Sequence, residues 1–141
     1  MEIRSPQTPL EWESYYDLRY RVLRQPWNQK KGSEQDGQEN DAVHFAVFIT
    51  GIVVAVARLD KPNEYTYQIR FMAVEPAFQG KNIGKLLMEF ILRRCQIDKR
   101  DHIILHAREG AIPFYERLGF GIVEQSYLLF GSIQHFLMEK K

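Results

Sequence analysis

Two apolar runs near the middle of the chain constrain its fold more than any other feature. Val43 to Ile49 and Ile52 to Leu59 are almost continuously hydrophobic, and only Thr50-Gly51 separates them. Two such runs with a tight polar connection predict a β-hairpin. Because side chains of both strands would be apolar on both faces, we expect the hairpin to lie at the centre of a layered sheet, covered on each side.

The first helix has a clear start and a clear end in the sequence. Thr8 suits the N-cap, Pro9 suits the first helical position, and Glu11 completes a capping box. Apolar residues then recur at helical spacing until the chain reaches Pro26, where we expect the helix to have ended.

Strand and helix patterns alternate along the rest of the chain. A strand is predicted from Tyr65 to Val74, and a helix beginning near Ile83 carries an apolar stripe of 3.6-residue period. The remaining predicted elements are a strand at 102–106, a helix at about 111–118, and strands at about 122–130 and 133–138. This order predicts an α/β (α+β) fold with a mixed, mostly antiparallel sheet flanked by helices.

Composition bounds the class of protein. The chain has 141 residues, of which 45% are hydrophobic, so we expect a single domain over residues 1–141. With 19 basic and 18 acidic side chains the net charge is +1, which gives no general attraction to nucleic acid or to membranes. The start of the chain lacks the apolar core of a signal peptide, and the single cysteine, Cys95, falls on an apolar helix face where it should pack. We therefore expect a cytoplasmic protein.

The stretch from Asn28 to Asn40 contains no aliphatic or aromatic residue. Since such a segment cannot offset its ordering entropy by apolar burial, we predict a mobile surface loop. The sequence leaves open whether it serves as a substrate-side flap or as a solvated connector, although its acidic residues Glu34, Asp36 and Glu39 would attract a cationic amine.

The junction between the third predicted strand and the next helix is unusual. From Gln79 to Lys85 it has two glycines, two lysines and no acid, where helices favour Asp or Glu. A helix start leaves backbone N–H groups without internal partners, and here an external anion would serve them. Gly80 and Gly84 would let the ligand approach closely, so the junction predicts a phosphate cradle or, failing that, an ordinary strand-to-helix turn. Neither the Walker A spacing nor the G-x-G-x-x-G spacing is present.

Two segments resemble motifs of the GNAT N-acetyltransferase superfamily. The run AVEPAFQGKNIGKLLM resembles its acetyl-CoA-binding motif, and HAREGAIPFYERLGF resembles its next motif, with an Ala, an aromatic-Tyr pair and a closing Gly-Phe. RYRVLRQP near the start is similar to a subgroup of small, single-domain bacterial members. The resemblance implies a mixed sheet that is splayed in the middle, with acetyl-CoA held in the splay.

The resemblance also implies which residues hold coenzyme A. The pyrophosphate would lie within residues 79–85, and the pantetheine arm would pair with the backbone of residues 72–74 as an added strand. The implied contacts are Met72, Ala73, Val74, Gln79, Gly80, Lys81, Asn82, Ile83, Gly84, Lys85, Arg108 and Phe114. Asn82 replaces the family's usual glycine, and Asn tolerates a left-handed backbone best among the other residues. Arg108 replaces a common Asn, and its guanidinium would reach a phosphate or a substrate carboxylate instead.

Acyl transfer from a thioester to an amine needs a proton donor for the leaving thiolate and a base for the amine. Tyr115 matches the family position that often supplies the proton, although a packing role beside Phe114 remains an alternative. His106, at the end of its predicted strand, is the candidate base, with a structural role as its alternative. Glu75 and His44 are weaker candidates for the base, His102 and His135 are expected to be structural, and no metal-ligand spacing is seen.

The sequence thus predicts an acetyl-CoA-dependent N-acetyltransferase acting on a primary amine of a small molecule or peptide. The alternative is a non-catalytic acyl-CoA-binding sensor module. Nucleic acid and membranes are not expected partners, and the identity of the acceptor and the oligomeric state, a homodimer included, are left open.

Overall fold

Seven strands and three helices make up the computed structural model of the chain, which describes all 141 residues. The strands are β1 (Glu2–Arg4), β2 (Val43–Ile49), β3 (Ile52–Asp60), β4 (Thr66–Val74), β5 (His102–Arg108), β6 (Gly121–Leu129) and β7 (Ile133–Lys140). The helices are α1 (Pro9–Leu23), α2 (Ile83–Ile97) and α3 (Ile112–Glu116). None of the helices combines the length and the apolar character that crossing a membrane requires.

All seven strands belong to one sheet in the order β1-β2-β3-β4-β5-β7-β6. Every neighbouring pair is antiparallel except β4 and β5, which run parallel. The mixed, mostly antiparallel sheet predicted from the sequence is therefore confirmed. The parallel pair requires a crossover, and α2 supplies it between β4 and β5.

The β2–β3 hairpin is covered by a helix on each face of the sheet, as predicted. Helix α1 covers one face of the sheet, where Tyr15 and Leu18 pack on β2, β3 and β4 side chains. Helix α2 covers the opposite face with Leu87, Met88 and Ile91. We refer to these as the α1 face and the α2 face of the sheet. The connecting turn has positive φ at both Thr50 and Gly51 (48° and 79°), the geometry that matches strand twist in a two-residue hairpin.

Most predicted elements are found, with differences at the ends. The Thr8 hydroxyl caps α1 by accepting from the Glu11 N–H at 3.2 Å, but the Glu11 carboxylate accepts from the Gln7 N–H at 2.8 Å and so does not close the capping box on Thr8 itself. Strand β1 was missed, since three residues give too short a pattern. Helix α3 is shorter than predicted at both ends, because Ala111 belongs to a 3₁₀ turn, Glu109–Ala111, and the helix ends at Glu116. Cys95 is buried in the α2-face core, where burial raises the pKa of its thiol to about 12.

Residues 28–40 form a surface loop of mostly exposed residues, as predicted, but buried ion pairs tie part of it to the rest of the fold. Two fully buried arginines hold this stretch: Arg19 donates to Glu39 at 2.9 Å, and Arg58 donates to Asp36 and Glu39 at 2.7 Å each. Buried ion pairs thus hold the loop in place of apolar burial. The argument from composition considered apolar residues alone and did not include such pairs. Once the guanidinium groups are buried, the loop carboxylates become obligatory partners, because a buried charge left alone is very costly.

Candidate active site

A cavity of about 500 Å³ opens where β4 and β5 separate. The two strands are paired only from Thr66–His102 to Ile69–Leu105, and beyond that point they diverge. We call this space the splay cavity, and it is lined by Leu23, Arg24, Trp27, Gln68, Ile69, Arg70, Phe71, Met72, Leu105, His106, Ala107, Arg108, Ala111, Tyr115, Tyr127, Leu129, Ile133 and His135. No residue of the 28–40 loop is among them.

A β-bulge in β4 starts the divergence. Between Arg70 and Ala73 the strand has one residue more than the facing segment of β3, and Phe71 has a positive φ of 54°. The extra residue places the Phe71 ring against α1, 4.5 Å from the Arg19 guanidinium carbon. Past the bulge, the β4 edge facing β5 has no strand partner. An exposed strand edge of this kind offers backbone hydrogen bonds to an extended ligand.

The glycine-rich junction forms the start of α2 as an open loop. Backbone N–H groups of residues 80–85 have no acceptor in the protein, and no acidic side chain lies in the first turn. Gly80 has a φ of 78° with nothing within 4 Å of the Cβ position, whereas a Cβ on Gly84 would lie 3.4 Å from Met72 and 3.6 Å from Phe114. These unpaired N–H groups at the positive end of the helix dipole suit a phosphate. We call residues 79–85 the cradle.

Two side chains of the cradle shape its backbone. Asn82 is the N-cap residue and has a left-handed backbone (φ 64°, ψ 10°), the conformation for which asparagine is tolerated, and its side chain makes no capping bond. The Gln79 side-chain amide donates to the Val74 carbonyl at 3.1 Å, which ties the loop to the end of β4. Gln79 therefore positions the cradle through its side chain.

Tyr115 lines the splay cavity from the α2 face. Its ring packs edge-on against Phe114 and Phe120, with centroids 5.0 and 6.0 Å away, so the packing role foreseen for it is real. No protein group hydrogen-bonds to its hydroxyl, and burial raises the pKa of the phenol to about 12. The hydroxyl thus stays protonated near neutral pH and is free to donate to a ligand.

His106 lies at the other side of the same cavity. Its Nδ1 is 3.0 Å from the Ser126 hydroxyl, and its ring lies 5.2 Å from that of Tyr127. Burial, helped by the nearby charges of His135 and Arg70, lowers the pKa of the imidazole below its ordinary value. A neutral imidazole at neutral pH has the protonation state that a general base needs.

Sequence reasoning missed a second histidine in the cavity. His135 was expected to be structural, and its Nδ1 does bond to the Ile133 carbonyl at 3.0 Å. Because a carbonyl only accepts, Nδ1 carries the proton, which leaves Nε2 with a lone pair. The ring stacks on Tyr127 at 4.6 Å and lines the splay cavity. The pairing of β5 with β7 brings it there, opposite Arg108, and no signal in the sequence marked that pairing.

The weaker candidates are engaged elsewhere. Glu75 accepts two hydrogen bonds from Arg21, each 2.9 Å long, which lower the pKa of its carboxyl and tie α1 to the end of β4. His44 is held between the Tyr15 hydroxyl (2.8 Å) and the Glu39 carbonyl (2.7 Å). Neither lines the splay cavity.

His102 and Arg108 complete the predicted set. His102 lies 2.8 Å from the Glu139 carboxylate, as expected for a structural histidine. Arg108 is exposed at the rim of the splay cavity, 5.9 Å from the Trp27 ring centroid, and is paired with no carboxylate. It therefore keeps a free charge for an anionic ligand. Nowhere in the chain do three or more His, Cys, Asp or Glu side chains come together as metal ligands would.

Residues 12–120 match the model of the Acetyltransferase (GNAT) family, and the chain belongs to this family. The splayed sheet, the cradle and the cavity are thus parts of a GNAT acetyltransferase fold. The resemblance noted from the two sequence motifs is confirmed.

Individual relatives are distant. The uncharacterized N-acetyltransferase ycf52 of Porphyra purpurea is 31% identical over 68 residues, which cover 48% of this chain and 39% of that protein. An acyl-CoA N-acyltransferase from Pseudomonas aeruginosa has 25% identity and a TM-score of 0.85 over 99% of this chain and 97% of its own. A GNAT family acetyltransferase from Elizabethkingia anophelis, solved with acetyl-CoA bound, has 16% identity and a TM-score of 0.75 over 99% and 95%. The matched part thus spans about two fifths of the curated relative, and at 16% identity the last likeness concerns the fold alone.

Proposed function

We propose that the protein is an acetyl-CoA-dependent N-acetyltransferase that acetylates a primary amine of a small molecule or peptide. The observation that carries the proposal is the run of unpaired N–H groups at residues 80–85, next to the partnerless edge of β4. The N–H groups suit a pyrophosphate, and the strand edge suits an extended arm that contains amides. Family membership and the acetyl-CoA-bound relative support the same ligand.

The donor would be held in two parts. The cradle N–H groups, with Lys81 and Lys85 beside them, would donate hydrogen bonds to the pyrophosphate oxygens. The pantetheine arm would run along β4 at residues 72–74, with Phe114 packed near Met72 and Arg108 at the cavity rim. Gly84 would keep this passage open, since a side chain there would lie among Met72, Val74 and Phe114.

Bound acetyl-CoA would supply an acetyl group activated as a thioester. Tyr115 would donate its hydroxyl proton to the departing sulfur, for which its raised pKa keeps the proton in place. His106, neutral near pH 7, would accept the proton that the amine loses, directly or through a water molecule. Both groups line the splay cavity, so the acceptor amine would enter it from the α1 face, where His106 lies.

The proposal is tested by binding and by turnover. Acetyl-CoA at about one hundred times its Kd should stabilise the protein by roughly 2.7 kcal/mol, measured by thermal shift and calorimetry. Release of free thiol across a panel of amines should then identify an acceptor. Binding without turnover on any amine would favour the non-catalytic sensor, and no binding at millimolar acetyl-CoA would contradict the proposed function.

A further inference from the structure

The charge of the splay cavity is one-sided. Three arginines, Arg24, Arg70 and Arg108, line it together with two histidines, and no aspartate or glutamate does. The acidic residues of the 28–40 loop, which the sequence offered as an attraction for a cationic amine, are used elsewhere. Asp36 and Glu39 accept hydrogen bonds from Arg58, and Arg19 adds two more to Glu39. The cavity that would receive the acceptor is therefore cationic.

Four guanidinium groups surround the ring of Phe71, and two of them are compensated. Arg19 and Arg58 lie 4.5 and 4.8 Å from the ring centroid and are fully buried. Their charges are neutralised by the carboxylates of Asp36, Glu39 and Asp60, at 2.7 to 3.0 Å. We call Arg19 and Arg58 the inner arginines.

The other two, Arg24 and Arg70, are the outer arginines, 5.5 and 5.2 Å from the same ring centroid. Arg24 donates only to the backbone carbonyls of Ser33 and Leu23, each at 3.1 Å. Arg70 makes no hydrogen bond, and the carboxylate oxygens nearest to it, at 3.8 and 3.9 Å, already accept from Arg58. Neither outer arginine has a carboxylate at hydrogen-bond distance, so both guanidinium groups keep donors for an anion in the cavity.

This anion is not the pyrophosphate of the donor. The cradle begins α2 and contacts Met72 and Phe114 on the α2 face. The outer arginines lie on the α1 face, since Arg24 caps the end of α1 and Phe71 is packed between them and Arg19. The sheet separates the cradle from the outer arginines, so these two positively charged sites would bind different anionic groups.

We propose, resting on the proposed function, that the acceptor is a small-molecule amine with an anionic group, a carboxylate or phosphate, bound by Arg24 and Arg70. Arg70 lies near enough to His106 for its charge to lower the pKa of the imidazole, so an anion held by Arg70 places the attached amine toward the base. A cavity of about 500 Å³ suits a ligand of this size. Polycationic acceptors would meet like charge.

The first experiment compares matched acceptors. With acetyl-CoA saturating, kcat/KM is measured for ω-amino acids, aminoalkyl phosphates, the corresponding ω-amino amides and diamines. The wild-type protein should prefer the anionic amines over the amides by tenfold or more, since hydrogen bonds to charged groups are among the strongest. Equal or better use of amides or diamines would overturn the proposal. The carboxylate and phosphate arms decide which anion is preferred.

The second experiment assigns the preference to residues. Arg70→Gln should reduce the preference for the anionic amine, which is the ratio of its kcat/KM to that of the amide, about tenfold. The ratio cancels any change in His106 that the loss of the Arg70 charge brings to both acceptors. Arg70 is 41% exposed and makes no hydrogen bond, so the variant should fold normally. Arg24→Gln should act in the same direction, and Arg93→Gln, an exposed arginine on α2 outside the cavity, should change nothing. An unchanged preference in Arg70→Gln would contradict the assignment.

A binding measurement separates this proposal from the proposed function. Trp27 lines the cavity, so its fluorescence should respond to succinate when coenzyme A occupies the cradle. If no amine is acetylated but succinate binds at least tenfold more tightly to the wild type than to Arg70→Gln, the anion site stands and the proposed function fails. If amines are acetylated but succinate binding does not depend on Arg70, the proposed function stands and the anion site is wrong.

Discussion

The two faces of the sheet differ in the chemistry that they leave unsatisfied. On the α2 face the groups without partners belong to the backbone, namely the N–H groups of residues 80–85 at the start of α2. On the α1 face they belong to side chains, since the guanidinium groups of Arg24 and Arg70 have no carboxylate at hydrogen-bond distance. Backbone donors suit a ligand that is always the same, whereas side chains are easily exchanged to suit different acceptors. The proposed donor site therefore consists of backbone groups, and the proposed acceptor site consists of side chains.

A second contrast lies within the α1 face, where the inner and outer arginines surround the same ring. Carboxylates at hydrogen-bond distance make the inner arginines part of the fold, and their lack leaves the outer arginines available for a ligand. The inner and outer arginines thus differ in role because neighbouring carboxylates neutralise the charge of the inner pair only. The following predictions test both contrasts, in order of decreasing expected effect.

The largest effect should come from an inner arginine. Arg58→Met would remove the hydrogen-bonded cation of Asp36 and Asp60 and leave Glu39 with Arg19 alone. The free energy of unfolding should therefore fall by about 3–5 kcal/mol in chemical denaturation. Arg70→Gln should change it by less than about 0.5 kcal/mol. Similar losses in the two variants would remove the distinction between inner and outer arginines.

In the splay cavity, Tyr115→Phe should lower kcat about 100-fold. The variant keeps the ring packed on Phe114 and Phe120 and loses only the transferable proton, and general acid catalysis contributes ~100- to 10,000-fold. The affinity for acetyl-CoA should be nearly unchanged. Tyr127→Phe, which removes another hydroxyl from the same cavity, is the control and should cost less than about threefold. A wild-type rate in Tyr115→Phe would assign this tyrosine to packing.

On the α2 face, Gly84→Glu should weaken acetyl-CoA binding more than Lys81→Ala does. The glutamate side chain must fit where a Cβ already lies 3.4 Å from Met72, and it brings negative charge toward the pyrophosphate. We expect a loss of about 2 kcal/mol, or roughly thirtyfold in Kd. Lys81→Ala removes one exposed charge, worth about 1 kcal/mol or less. Calorimetry that finds small and equal effects would place the pyrophosphate elsewhere.

The smallest effect concerns pH. His106 has a pKa below its ordinary value of 6.5, so it gains a proton, and stops acting as a base, only as the pH falls through that lowered pKa. The ratio of kcat/KM between wild type and His106→Gln, which cancels titration of the acceptor amine, should therefore rise with pH below 6.5 and then level off. Tyr115, with a pKa of about 12, should add no decline below about pH 10. A flat ratio would mean that another group, such as His135, accepts the proton.

Much of the fold, and the open start of α2, could be predicted because they depend on local patterns. The hairpin follows from two apolar runs and a two-residue turn, and α2 from its apolar stripe. The cradle is likewise local: Gly80, Asn82 and the missing acids act within one turn of the chain. Backbone conformation is decided by neighbouring residues, and these are visible in the sequence.

The proposed acceptor site could not be predicted, because it depends on residues far apart in the chain. His135 reaches the cavity through the β5–β7 pairing, and Arg70 and Phe71 are turned toward α1 by a bulge whose register only the sheet defines. Composition alone assigned the loop carboxylates to solvent. In the structure they pair with Arg19 and Arg58, which lie about 20 residues away in the sequence. The sequence by itself determined most of the elements and the open, acid-free start of α2 at which we propose that a phosphate binds. Only the tertiary structure decided which charges are neutralised, because charge pairing depends on distances in space.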